Sequence, residues 1–324
     1  MKQLTVVLII LASLYGASYQ QYRHFNIDMP KGSTDANSYI AMSHGDFDVR
    51  QIHRYRIVIP FIAGGLQRVL ENWISDVSEV DKLSFYVINF LISGLAAFLL
   101  FLLFLKLGFS VELSLLGVLL FICSRIVVIS TATPLVDSLF YLSIVCMVFL
   151  IEKRNVIILS VLLPLMLLSK ETFLPLLFLP LLINEFRKPI YIIGIIFSLL
   201  IFFGVRSMLG DVQGAHESSS LVNIVLSHAR NMLSNLKISF TASGLHDWQN
   251  GFSFILILSM LGFRRDYFNG ERFVPLYLIW IIPLAIVYGL LSGNMGRMLF
   301  TAYIPIYAYA LIFIDYVIKQ RSLN

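Results

Sequence analysis

Long apolar stretches separated by short polar turns fill most of the chain. Runs at 4–20, 83–107, 111–130, 134–151, 156–169, 172–185, 189–207, 251–263, 273–291 and 297–318 lie near the roughly 20 residues that a helix needs to cross a hydrocarbon core about 30 Å thick. A shorter run, 57–70, predicts a re-entrant or interfacial helix. The pattern predicts an all-α polytopic membrane protein with about ten transmembrane helices and a long first outer loop containing short helices. The first run also has the form of a signal peptide, with small residues at Gly16–Ser18 before a cleavage point. It continues to Tyr19 and other runs follow it, which favours a span. With no internal repeat and no low-complexity tract, residues 1–324 read as a single integral-membrane domain.

Composition agrees with the pattern. Hydrophobic residues make up 58% and charged residues 13% of the 324 positions, against about 25% charged in an ordinary soluble domain, which excludes a soluble fold. The net charge of +5 is too diffuse to suggest a nucleic-acid partner. Cys123 and Cys146 both lie inside apolar runs and suggest neither a disulfide framework nor a metal knuckle.

Basic residues set the orientation, because short cytoplasmic loops carry the excess of Lys and Arg. With the N-terminus inside, every inside loop is basic: Lys106; Lys153 and Arg154; Arg187 and Lys188; Arg264, Arg265 and Arg272; Lys319 and Arg321. Two long segments, 21–82 and 208–250, then lie outside. Within the second, Val222, Val225, Leu226, Ala229, Leu233, Leu236 and Phe240 recur at helical spacing opposite Arg230 and Lys237, the pattern of a helix lying on the membrane surface. An ordinary amphipathic loop helix fits the same spacing.

A charge at membrane depth costs roughly 2.5–3.5 kcal/mol on insertion scales and normally faces a partner or a cavity. In this topology Arg125, Asp137, Lys170, Glu171 and Arg297 all fall at the outer membrane level. Asp35, Asp46, Asp48, Arg50, His53, Arg54 and Arg56 of the first outer segment join them there. Simpler roles stand beside this convergence. Arg125 and Asp137 can neutralise each other. Lys170 and Glu171 can cap a turn flanked by Pro164 and Pro175, and Asp35 can be a helix N-cap for the stretch ANSYIAMSH. His53 reads as a solvated or headgroup-facing side chain, and His216–Glu217 and His246–Asp247 as loop residues. Arg50, Arg54 and Arg56 run against the positive-inside trend, so an anion should offset them. A lipid phosphate or pyrophosphate suits the guanidinium fork, and plain phospholipid headgroups are the alternative.

Three short stretches carry a resemblance. Asp35-Ala-Asn-Ser-Tyr39 leads to Arg54-Tyr-Arg56-Ile-Val-Ile-Pro60; Ser169-Lys170-Glu171-Thr172 forms a proline-flanked turn; Gly293-Asn-Met-Gly-Arg297 precedes the last run. Together with the topology they resemble the GT-C superfamily of integral-membrane glycosyltransferases, which use polyprenyl-phosphate-linked sugars. The resemblance implies an inverting transfer to a glycan, lipid or protein acceptor, with Asp35 as catalytic base. It implies Arg54, Arg56, Lys170 and Arg297 as phosphate ligands, and Tyr39 and Glu171 as residues that orient the site. Asp46-Phe-Asp48 is a D-x-D pair suited to a divalent cation such as Mg or Mn, and some relatives work without metal, so these two stand as second candidates for base or metal ligand. There is no glycine loop to cradle a nucleotide. A bacterial cytoplasmic (inner) membrane with the site facing outward suits the compact loops; an endoplasmic-reticulum membrane with a luminal site has the same physics. A polysaccharide polymerase or ligase using lipid-pyrophosphate-linked glycans, and a transporter or flippase for a lipid-linked anion, are the competing expectations.

Overall fold

Every regular element among the described residues is helical. The computed structural model describes residues 3–27, 34–49, 51–210, 221–268, 273–292 and 294–321. In chain order the helices are α1 (Gln3–His24), α2 (Thr34–Ser43), α3 (Gln51–Arg54), α4 (Val58–Leu70), α5 (Val77–Lys106), α6 (Val111–Ile122), α7 (Arg125–Ala132), α8 (Asp137–Glu152), α9 (Val156–Ser169) and α10 (Pro189–Leu209). They continue as α11 (Leu221–Ser239), α12 (Ala242–Phe252), α13 (Ile255–Phe268), α14 (Leu276–Ile279), α15 (Ile281–Leu291), α16 (Met295–Leu299) and α17 (Tyr303–Arg321). Segments Glu171–Leu182, Asn184–Phe186 and Phe300–Ala302 are 3-10 helices. No strand occurs among the described residues.

Among the described residues four helical segments are long and apolar enough to cross a membrane: Leu4–His24, Val77–Lys106, Pro189–Leu209 and Met295–Arg321. Counting the bent pair α6 and α7 as one span gives five. This corrects the expected ten. Hydropathy counts apolar residues but is blind to where a helix breaks. The run 156–169 yields α9, with Pro164 inside it, about 21 Å long at 1.5 Å per residue. The run 172–185 winds as a 3-10 helix containing Pro175 and Pro180, neither of which can donate a backbone hydrogen bond. The run 251–263 is split after α12 at Ser253, whose φ of 52° ends the helix. With this span number, counting runs no longer fixes which side each loop occupies. The short helices expected between 21 and 82 are present as α2, α3 and α4.

The chain forms two compact units, Met1–Leu103 with Val127–Val212, and Phe104–Ile126 with Gln213–Asn324. In the first, Tyr39 and Met42 of α2 pack with Ile59 and Ala63 of α4, Phe85 and Ile88 of α5, and Leu135, Val136 and Leu139 around the start of α8. Gly64 lets α4 approach α2 closely: a Cβ there would stand 2.3 Å from the Ser43 carbonyl oxygen. The break before α8 is satisfied by Asn89, which donates to the carbonyls of Thr133 (3.1 Å) and Leu135 (3.0 Å) and accepts from Ser138. That bond set fixes where Asp137 begins α8.

In the second unit α13 packs along α17, with Gly262 against the Tyr309 carbonyl. Rings of Phe121, Phe252, Phe300, Tyr303 and Tyr307 form its aromatic centre. The helix expected over 222–240 is α11. Its Leu233, Leu236 and the following Phe240 are exposed, as are Arg230 and Lys237, and Asn235 ties it to the Leu290 and Ser292 carbonyls.

Large apolar side chains line outer helix faces. On α10, Ile193, Phe197, Leu200 and Phe203 are exposed while Tyr191, Gly194 and Ser198 are buried; on α9, Ile157, Val161 and Leu165 are exposed. Contiguous apolar surface of this kind is unfavourable in water and compatible with lipid.

Candidate active site

Helical spacing on α2 builds one wall of the site. Asp35, Ser38 and Tyr39 stand three and four residues apart and so share a face. The short helix α3 and the residues after it bring His53 and Arg56 to that face, with Arg56 N–H donating to the His53 carbonyl at 3.0 Å. The turn between α9 and the following 3-10 helix contributes Lys170 and Glu171. All of these residues belong to the first unit.

Asp35 Oδ1 lies 3.1 Å from His53 Nε2, with 29% of the Asp35 side chain exposed and 6% of that of His53. The other imidazole nitrogen, Nδ1, is 3.0 Å from Ser38 Oγ. The Tyr39 ring lies beside the imidazole at 5.3 Å between centroids, and Tyr39 OH accepts from Arg56 Nη1 at 2.9 Å. Arg56 then clamps Glu171 with two parallel bonds, Nε to Oε2 at 2.9 Å and Nη2 to Oε1. This bidentate geometry is the strong form of the Arg–carboxylate pair. Glu171 lies outside the candidate spanning helices. Burial would raise its pKa, but the Arg56 charge and hydrogen bonds, aided by Lys170, hold its carboxyl below the usual carboxylate range.

Lys170 is fully buried, donates to Asp137 Oδ1 at 2.7 Å and faces the Phe140 ring at 5.3 Å. Both site cations named so far are thus matched by carboxylates, so a phosphate reaching Arg56 or Lys170 must compete with Glu171 or Asp137. Arg54 serves the backbone instead. It donates to the carbonyls of Gly210 (2.9 Å) and Val49 (3.0 Å), and its buried Nε has no hydrogen-bond partner among the described residues. Arg206, on the last turn of α10, stacks over Tyr55 at 4.4 Å.

The structure therefore brings Asp35, Tyr39, Arg56, Lys170 and Glu171 into one region and turns Arg54 toward chain carbonyls. Arg297 lies in the second unit, half-buried in α16, where its backbone N–H is capped by Asn294 at 3.2 Å. Asp46 accepts from the Asp48 N–H at 2.9 Å in an exposed turn. No group of three or more His, Cys, Asp or Glu is placed to hold a metal among the described residues. Arg50 and His216–Glu217 lie outside the described residues; His246 and Asp247 fall in α12.

Two of the converging residues have surroundings other than those expected. His53 is buried between Ser38 and Asp35, not solvated, and Asp137, weighed as the partner of Arg125, receives the Lys170 hydrogen bond. The i, i+3 spacing of His53 and Arg56 hinted at a shared face; nothing local joined Asp137 to Lys170, 33 residues away. No protein-family model, curated protein or solved structure matches the chain.

Proposed function

We propose that this chain is a membrane glycosyltransferase that moves a sugar, with inversion, from a polyprenyl-phosphate donor to a glycan, lipid or protein acceptor on the outer (periplasmic or luminal) face. The observation that carries this reading is the part-exposed Asp35 carboxylate linked through His53 and Tyr39 to the Arg56–Glu171 pair. In the reaction Asp35 takes the proton of the acceptor hydroxyl. The acceptor oxygen bonds to the anomeric carbon as the bond from that carbon to the phosphate oxygen breaks, and the electron pair leaves with the lipid phosphate. Arg56 and Lys170 lie in the same unit as the base, and released from Glu171 and Asp137 they would be the donors for negative charge growing on the phosphate.

The neutralised cations favour a second reading, a transporter for a lipid-linked anion, in which the paired carboxylates exchange with the cargo. The test is transfer by purified full-length protein from a panel of radiolabelled polyprenyl-phosphate sugars with a range of acceptors. Turnover by the wild type and its loss in Asp35→Asn, with donor binding retained, is the expected result. A folded wild type that transfers nothing but moves labelled lipid across sealed vesicles establishes the second reading instead.

A further inference from the structure

The bonds around His53 have a directional logic that the proposed reaction does not itself require. An ionised carboxylate only accepts hydrogen bonds, so with Asp35 poised as a base, His53 Nε2 carries the proton and donates to Oδ1 across the 3.1 Å contact. In the neutral imidazole Nδ1 is then the acceptor, with the Ser38 hydroxyl 3.0 Å away in place to donate to it. Ser38 and His53 are both buried, and the Tyr39 ring covers the imidazole, so water does not compete for these positions. When the carboxylate gains a proton on its other oxygen, the same Nε2–H to Oδ1 bond persists. Nothing in the dyad has to turn during proton transfer, which is the condition for a pre-organised base.

We infer that His53 is a positioning residue for Asp35: held on one side by Ser38, it fixes one carboxylate oxygen and so sets the direction from which the other takes the acceptor's proton. The inference rests on the glycosyl-transfer reading and adds to it a residue from a separate segment of the chain. Ser38 lies one helical turn from Asp35 on α2, whereas His53 arrives on α3. The imidazole thus also couples the placement of the base to the packing of α2 on α3.

The experiment measures kcat and donor KM for wild type, Asp35→Asn, His53→Ala, His53→Gln and Ser38→Ala, with thermal unfolding of each in detergent as the folding control. His53→Ala is expected to lower kcat about 100-fold, the scale of a misplaced reacting group, with donor KM unchanged. His53→Gln, which keeps an N–H donor at similar reach, recovers most of kcat, and Ser38→Ala gives a smaller loss in kcat alone. If His53→Ala does not fold, the contrast between His53→Gln and Ser38→Ala carries the test. Wild-type kcat in a folded His53→Ala protein, or in both remaining variants where it does not fold, overturns the inference and leaves the reading intact if Asp35→Asn is inactive. A drop in unfolding temperature that tracks the kcat loss in every variant assigns His53 a structural role and also overturns it. A wild type without turnover overturns the reading and the inference together.

Discussion

Arg56 and Lys170 illustrate how a charge is tolerated beside apolar helices. Each sits against a carboxylate in hydrogen-bonding geometry, Arg56 on Glu171 and Lys170 on Asp137. Removing one member of a buried pair strands the other, at a cost of about 3–5 kcal/mol, whereas replacing both by apolar groups of similar size is near neutral. Asp137→Asn is therefore expected to lower the thermal unfolding midpoint in detergent by far more than the double variant Lys170→Met, Asp137→Leu. Equal losses in the two would mean that the pair contributes packing and not compensated charge. Asp35, Arg56 and Glu171 stood out in the sequence as ionisable groups near the ends of apolar runs, and Tyr39 only through the resemblance; the fold brings the four together. His53 was misread, since a histidine flanked by arginines looks solvated until the fold shows that Ser38 and Asp35 enclose it.

Helix contacts through glycine decide how accurately α2 presents its polar face. A side chain at Gly64 meets the Ser43 carbonyl oxygen at 2.3 Å, while Gly65, its neighbour on α4, has nothing within 4 Å. Gly64→Ala should force α2 and α4 apart and cost about 1–3 kcal/mol, as overpacking does. Gly65→Ala, gaining helix propensity of up to about 1 kcal/mol, should be neutral or stabilising. The check is the unfolding midpoint of the two variants side by side; a similar response would show that α4 does not depend on that close approach. Apolar pattern alone could not separate these adjacent glycines, because the difference lies in what stands opposite. Breaks were equally hidden. The proline-bearing 3-10 helix at Glu171–Leu182 and the Asn89-supported break before α8 each interrupt a run that reads as continuous apolar sequence.

For the whole molecule, the exposed apolar faces of α9 and α10 are compatible with a bilayer, and the proposed orientation puts the Asp35 region outside. In a Cys123→Ser, Cys146→Ser background, Asn72→Cys should be labelled by a membrane-impermeant thiol reagent in intact cells. Lys153→Cys should be labelled only after permeabilisation, because both positions are exposed and the basic turn of Lys153 and Arg154 is expected on the inner side. Labelling of both from the same side would overturn the proposed topology. The sequence by itself determined helical character and apolar surface, because these follow from composition and periodicity along the chain. Tertiary structure alone decided that long apolar helices among the described residues number four or five, that Lys170 meets Asp137, and that His53 lies between Ser38 and Asp35. Such outcomes depend on helix breaks and on contacts between residues far apart in sequence, which periodicity cannot encode.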